Sequence, residues 1–293
     1  MLEQLARLIV TMNALPKHKQ AAIVKALTEG ASIRSTARMV GVSKTTVLKL
    51  LVEVGELCAI YQDHKLRNLS CQRIQADEIW AFVGAKARSA KRKGEGDIWT
   101  FTAMCADSKL MVSWLVGQRI MPDAHAFMLD TAKRLAGRVQ LTTDGHPMYL
   151  SAVEAAFGWQ GVDYAQLVKY YESQGPVGRY SPPVCTGIDQ KAIMGSPDPK
   201  HVSTSFVERA NLGLRMGARR FTRLTNGFSK KVQNHAYAVA LHFMVYNFCR
   251  PHGTLTKRAH GVHTTPAMAA RLADHVWTIE ELAGLLDPNI LLQ

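Results

Sequence analysis

The sequence predicts a mixed α+β protein: an all-helical N-terminal domain followed by a mixed five-stranded sheet with flanking helices. Three observations predict it. Up to Leu57 the apolar residues recur at helical spacing, interrupted at Gly30 and Gly41. From Ile74 they fall instead into strand-length runs separated by turns. Beyond Val116, strand-length runs alternate with helix-length segments, the arrangement that lays helices on a sheet. A chain of 293 residues with 47% hydrophobic content is long enough to bury such a sheet and a second, smaller core.

Leu2, Leu5, Leu8 and Ile9 open the chain at helical spacing, and a segment led by Pro16 carries Ala21, Ile23, Val24 and Leu27 as far as Gly30. Ser32 is placed to cap a helix over Ile33 to Val40, Gly41 permits a tight turn, and Ser43 is placed to cap a helix over Lys44 to Leu57. Short helix, glycine turn, longer helix is the helix-turn-helix pattern, whose second helix enters the major groove of DNA. Lys44, Thr45, Thr46 and Lys49 hold the reading positions, and Val47, Leu50, Leu51 and Val54 supply the buried side. An ordinary three-helix bundle with a basic face is the competing explanation. The polar stretch from Tyr61 to Ser70 reads as a linker, giving a DNA-binding domain over 1–62, a linker over 63–72, a catalytic domain over 73–249 and a basic tail over 250–293.

The second pattern begins with a strand from Ile74 to Val83. A basic hairpin loop, Lys86 to Gly96, follows with Lys86, Arg88, Lys91, Arg92 and Lys93, and leads to strands at Ile98 to Cys105 and Met111 to Val116. Asp123 is expected to cap a helix to Leu135. A strand over Val139 to Thr143 ends in Asp144-Gly145, Pro147 starts a helix to Phe157, and a strand covers Val162 to Val168. Three antiparallel strands, helix, strand, helix, strand is the ribonuclease-H-like order. The Gly/Pro-rich stretch from Lys169 to His201 is expected to be a loop with little regular structure.

The charge balance selects the partner. Thirty-six Lys and Arg against 23 Asp and Glu give a formal charge of +13, and a polyanion is the natural ligand. No apolar run reaches membrane-spanning length and the cations are not clustered beside an amphipathic anchor, so double-stranded DNA is preferred to a membrane surface. Met1 to Val10 lacks the order of a signal peptide, and five cysteines form no CxxC, both of which suit the cytoplasm.

Three acids stand out in this basic chain. From Arg209 to Ala273 there are eleven Lys and Arg and no acid, so Glu208 sits at the edge of a basic field. Helical spacing puts Glu208, Asn211 and Arg215 on one face and leaves Leu212 and Leu214 to pack inward. Asp77 lies within the first strand, and strand alternation implies that Asp77 and Glu78 do not share one site. Asp144 follows the fourth strand, at the end where open α/β sheets hold ligands. Three carboxylates without His or thiolate select Mg2+ or Mn2+ over zinc. Two such ions, about 3.5 to 4 Å apart, suit in-line attack on a phosphodiester.

The segments Asp77-Glu78-Ile79-Trp80-Ala81-Phe82-Val83-Gly84-Ala85-Lys86, Thr143-Asp144-Gly145-His146-Pro147-Met148-Tyr149, Val207-Glu208-Arg209-Ala210-Asn211-Leu212-Gly213-Leu214-Arg215 and Phe228-Ser229-Lys230-Lys231-Val232, with His235 beyond, resemble in order the DDE transposases of the insertion-sequence-one family. The resemblance covers most of Asp77 to Asn247, and Arg34 to Leu48 resembles that family's DNA-reading segment. It implies that Asp77, Asp144 and Glu208 are the metal-binding triad and that Arg215 and His235 are supporting basic residues near it. It further implies cleavage at the ends of an insertion sequence, followed by transfer of the freed 3′ hydroxyl into target DNA. Two departures stand: the family's N-terminal zinc finger with paired CxxC motifs is missing, and Lys169 to His201 is an insertion.

Cys249, His252, His260 and His263 have zinc-like spacing, but the segments Tyr246 to His252 and Thr264 to Met268 around them resemble a C-terminal region common to transposases, which implies that these residues are not ligands. Asp107 is explained by its turn with Ser108 and Lys109. Arg219, Arg220, Arg223, Lys230 and Lys231 form the strongest basic cluster and are assigned to the DNA backbone. Trp277 to Leu286 reads as an amphipathic helix, for self-association or for docking on its own core. Joining two element ends requires a dimer or higher assembly. A DNA-binding regulator with an inactive domain of the same fold, or a structure-selective nuclease, are the alternative functions.

Overall fold

A computed structural model describes residues 15–172, 184–222 and 225–287. The helix expected around Leu2 to Ile9, and Arg223, lie outside the described residues. The chain divides into two compact units, one of Met1–Leu66, Trp80–Trp99 and Asn211–Gln293, the other of Arg67–Ile79 and Thr100–Ala210.

The first unit is mainly helical. Its first helices are α1 (Lys17–Thr28), α2 (Ile33–Val40) and α3 (Lys44–Lys65), and α2 and α3 start at the predicted serine caps. Ser32 Oγ accepts the Ser35 amide and Ser43 Oγ accepts the Thr46 amide, each at 3.0 Å. Gly41, with φ of 69°, makes the left-handed turn between α2 and α3. Helix α3 continues past the predicted end at Leu57 into the polar stretch read as linker. The reason is Gln62, which is fully buried. Its amide donates to Cys58 O at 3.0 Å and to Ala240 O at 3.1 Å, and its oxygen accepts from Asn247 at 3.3 Å. A polar residue satisfied inside a core looks like a linker residue in sequence.

Ala240 belongs to α7 (Val232–Met244), which packs along α3. The approach is close enough that a Cβ on Gly55 would stand 2.6 Å from Tyr237. Short helices α8 (Gly253–Arg258), α9 (Pro266–Ala269) and α10 (Ile279–Gly284) complete this unit. Helix α10 starts in a capping box of Thr278 and Glu281 and packs on α1 with Leu282, Leu285 and Leu286 buried. The amphipathic C-terminal face therefore docks on its own core.

The second unit holds most of a six-stranded sheet in the order β3-β2-β1-β4-β5-β6, with β1 Arg73–Val83, β2 Gly96–Cys105, β3 Met111–Gly117, β4 Val139–Asp144, β5 Val162–Glu172 and β6 Val184–Met194. Strands β1 and β4 are parallel, as are β4 and β5, while β5 and β6 are antiparallel, so the sheet is mixed. The expectation of five strands is corrected to six, and much of the presumed loop from Lys169 to His201 is strand. Strand β5 runs to Glu172 because β6 pairs with it as far as Val184. Strand β6 is exposed on both faces over most of its length, so no apolar alternation betrays it in the sequence.

Helices α4 (Met121–Arg134) and α5 (Met148–Gly161) pack on each other. Asp123 is not the cap of α4, which falls at Ile120; it sits in the first turn and accepts the Gln118 amide at 2.6 Å. Ile74, Phe101, Phe127, Leu141 and Tyr164 are at most 1% exposed and form the centre of this core, each contributing about 1.5–3 kcal/mol of burial. Helix α6 (Ser205–Gly217) begins against the sheet, where Gln75 Oε1 on β1 accepts the Phe206 amide at 2.9 Å and the Val207 amide at 3.2 Å. A strand side chain thus serves the open amides at the helix start.

Candidate active site

Glu208 enters the site through that helix start. Asp77 and Asp144 enter through the sheet. Gln75 pairs in register with Thr142, so two residues further along the parallel strands Asp77 and Asp144 stand level, at the carboxyl end of β4. Asp77, Asp144 and Glu208 line one open cavity, together with His146, Lys169 and Thr204.

Asp77 and Asp144 also form a close group with Glu78, which does not line the cavity: oxygens of the three lie within 4.8 Å of one another. The expectation that Glu78 is kept apart from Asp77 is thereby corrected. Side chains of adjacent strand residues do leave opposite faces, but β4 stops at Asp144 while β1 runs on to Val83. Past that end no strand separates the two faces, and Asp144 is reachable from both.

Glu208 stands outside this close group. Its carboxylate accepts from Thr204 Oγ1 at 2.5 Å and forms an ion pair with Lys169 Nζ. Burial works to lower the Lys169 pKa, but the bond to Glu208 outweighs it and the pKa is raised. Asp144 Oδ1 accepts the His146 amide at 3.1 Å, and Arg119 Nη2 lies 3.9 Å from Asp144 Oδ2. The Met148 amide donates to His146 Nδ1 at 3.3 Å, and burial, aided by Arg119 and opposed by Asp144, lowers the His146 pKa.

Glu78 is the most enclosed of the acids, its side chain 2% exposed. It accepts from Tyr149 Oη at 2.6 Å and pairs with Arg119. Burial and then Asp144 raise its pKa, against the opposing pull of Tyr149 and Arg119. The Tyr149 hydroxyl is raised well above its ordinary value, by burial first and Glu78 next. Glu78, Arg119, Tyr149 and Lys169 were not legible as site residues. Only proximity in the fold connects them, and no spacing in the sequence encodes it.

The remaining candidates fall as follows. Asn211 is buried and Arg215 half-buried, further along α6; Leu214 is buried, but Leu212 is 44% exposed, correcting its inward assignment. His235 is fully buried in the first unit. Its Nδ1 lies 3.1 Å from Ser229 Oγ, which accepts from Arg220 Nη1 at 2.7 Å. Burial, then Arg220, pushes the His235 pKa down to about 3. Burial also lowers Arg220 to about 10. His242 is likewise depressed to about 3, by burial and then Arg250.

Lys86, Arg88, Lys91, Arg92 and Lys93 are all exposed, on a loop tied by Glu95 Oε2 to the Lys91 and Arg92 amides, each at 3.2 Å, and by Asp97 Oδ1 to the Ala87 amide at 2.9 Å. Lys230 and Lys231 are exposed and Arg219 half-buried. Lys44, Thr45 and Lys49 are exposed on α3, whereas the Thr46 hydroxyl lies 2.9 Å from Ser43 Oγ, within the cap. Among the described residues, the acids Asp77, Glu78 and Asp144 are the one group of His, Cys, Asp or Glu close enough to share a metal, so Cys249, His252, His260 and His263 do not assemble. No helix among the described residues is long and apolar enough to cross a membrane. The chain matches no protein-family model, and no curated protein matches it.

Proposed function

We propose that the chain is a DDE-type DNA transposase, with Asp77, Asp144 and Glu208 as ligands for Mg2+ or Mn2+. The observation that carries the reading is convergence: 67 residues separate Asp77 from Asp144 and 64 separate Asp144 from Glu208, yet all three line one cavity at the carboxyl end of β4. The donor set suits a hard cation, being carboxylate only; the one histidine of the cavity has its Nδ1 engaged by a backbone amide. When bound, two such ions supply the Lewis acidity that activates an attacking oxygen and steadies a departing one.

The chain's own residues do the rest. The His146 amide orients Asp144, Thr204 orients Glu208, and Gln75 fixes the start of the helix that carries Glu208. The exposed cations of the loop at 86–93, with Arg219, Lys230 and Lys231, neutralise DNA phosphates. Helices α2 and α3 act as the helix-turn-helix, presenting Lys44, Thr45 and Lys49 to base edges. A six-stranded mixed sheet with flanking helices is compatible with the ribonuclease-H-like fold. The protein works on double-stranded DNA at the bacterial nucleoid, as a dimer or larger assembly, since two ends are joined. Water cuts the phosphodiester at the element's end, and the freed 3′ hydroxyl attacks target DNA.

One observation favours a second reading: the Glu208 carboxylate is engaged by Lys169 rather than gathered with the other acids. A DNA-binding regulator without chemistry would tolerate that. Incubating the protein and its Asp144→Ala variant with Mg2+ and labelled duplexes of the DNA flanking its own coding sequence separates the cases. Strand transfer lost in Asp144→Ala supports the transposase; cleavage without joining indicates a nuclease; binding alone indicates the regulator.

A further inference from the structure

We infer that Arg119 is a further catalytic residue, contacting the phosphate at the reacting centre, and that Glu78 and Tyr149 are buried to hold it there; the inference rests on the transposase reading. Arg119 lies in the short connection between β3 and α4. That connection is fixed by its backbone. Gly117 approaches Asp123 so closely that a Cβ would stand 2.4 Å from Asp123 Oδ2, and the same oxygen accepts the Gln118 amide at 2.6 Å. The Ile120 amide then closes on Gln118 O at 2.9 Å. The Arg119 side chain therefore leaves from a defined position.

Its guanidinium is aimed by an anchor. Glu78 pairs with it through one oxygen and accepts from Tyr149 Oη through the other, at 2.6 Å. A carboxylate that is 2% exposed is costly to desolvate, and a buried ion pair is weak as a source of stability. What the pair provides is orientation. With both Glu78 oxygens engaged, the same Nη2 reaches to 3.9 Å from Asp144 Oδ2, and the side chain remains 33% exposed. Two cations thus stand beside the acids, and they are divided: Lys169, which lines the cavity, is paired to Glu208, while Arg119, outside the lining, reaches Asp144 from the Glu78 side. A phosphodiester drawn to Asp77 and Asp144 by divalent cations brings its anionic oxygens to Arg119, whose planar fork matches two of them. The competing explanation is that Arg119 merely neutralises neighbouring acids.

The test uses the full chain as wild type, Arg119→Gln and Arg119→Lys. Mn2+ binding is followed by electron paramagnetic resonance. Single-turnover nicking with Mn2+, and the salt dependence of binding with Ca2+, are measured on duplexes of the DNA flanking the coding sequence. Arg119→Gln is expected to bind Mn2+ at least as tightly as wild type, because a cation beside Asp144 is gone. It should nick on the order of 10²–10³-fold more slowly, and lower the salt slope by about one, the signature of one lost phosphate contact. Arg119→Lys keeps the charge and the partner of Glu78, so it should keep the slope and lose a smaller factor in rate. An unchanged slope with wild-type nicking in Arg119→Gln overturns the assignment, as does loss of Mn2+ binding. Should that variant fail to fold, full wild-type nicking by Arg119→Lys overturns the role of the fork. A wild type that binds no Mn2+ sinks the transposase reading itself, a result distinct from failure of Arg119 alone.

Discussion

On the proposed reading, a divalent cation would have to compete with Lys169 for the Glu208 carboxylate. The Lys169 ammonium is paired with Glu208, whose side chain is 43% exposed, so the pair is partly screened and worth about 0.5–1 kcal/mol. Replacing the lysine by methionine is expected to tighten Mn2+ binding by roughly two- to fivefold, the equivalent of that energy. A titration followed by electron paramagnetic resonance reads it, and unchanged affinity would show that Glu208 is no ligand. At this scale the sequence exposed three of the residues that matter and hid four. Asp144 stood out as an acid at a strand end, Glu208 as an acid at the edge of a basic stretch, and Asp77 as an acid within the first strand of a segment with a family resemblance. Glu78 was set aside by strand alternation, a rule that fails where the neighbouring strand has ended. Arg119, Tyr149 and Lys169 sit on three separate elements, and nothing but folding gathers them.

Helix α7 carries two predictions. First, Gly55→Ala should destabilise by about 1–3 kcal/mol through overpacking, although alanine is by itself the better helix former. The clash is with Tyr237 Cβ and its backbone oxygen, both at 2.6 Å, and backbone cannot swing aside. Urea unfolding at neutral pH measures the loss. Second, His235 and His242 are held near pKa 3 by burial, against an ordinary 6.5. In that window the unfolded chain binds the protons and the folded one does not, so stability present above pH 6.5 is lost as pH falls toward 3. Each histidine accounts for a slope of up to about 1.4 kcal/mol per pH unit. His242→Phe should remove its share of the slope between pH 6 and 4, read by urea melts at each pH. Elements were legible where a cap or an apolar face announced them, as with Ser32, Ser43 and the strand at Ile74. They were not where a polar residue is satisfied inside, as at Gln62, or where a strand has no dry face, as in β6.

For the molecule as a whole, the charge of +13 favours a polyanion, and the loop at 86–93 tests whether the proposed DNA is met there. Changing Lys91, Arg92 and Lys93 together to alanine is expected to weaken DNA binding on any sequence and to reduce the salt slope by up to about three, one per phosphate lost. Fluorescence anisotropy across a salt series measures both. An unaltered slope would mark the loop as a solvated surface. The order of strands and helices was readable because each strand but one has a buried row. The sixth strand was missed for want of that row.

The early stop of β4 has a last consequence. A continuous sheet insulates the chemistry on one side from whatever packs on the other. Here the insulation has a gap at Asp144, where Glu78, bonded to Tyr149 of α5, comes within 4.8 Å of the same aspartate that faces the cavity. The helix layer behind the sheet is thereby wired to the front, and a disturbance of α5 would be felt at the carboxylates without any change to the exposed basic loop.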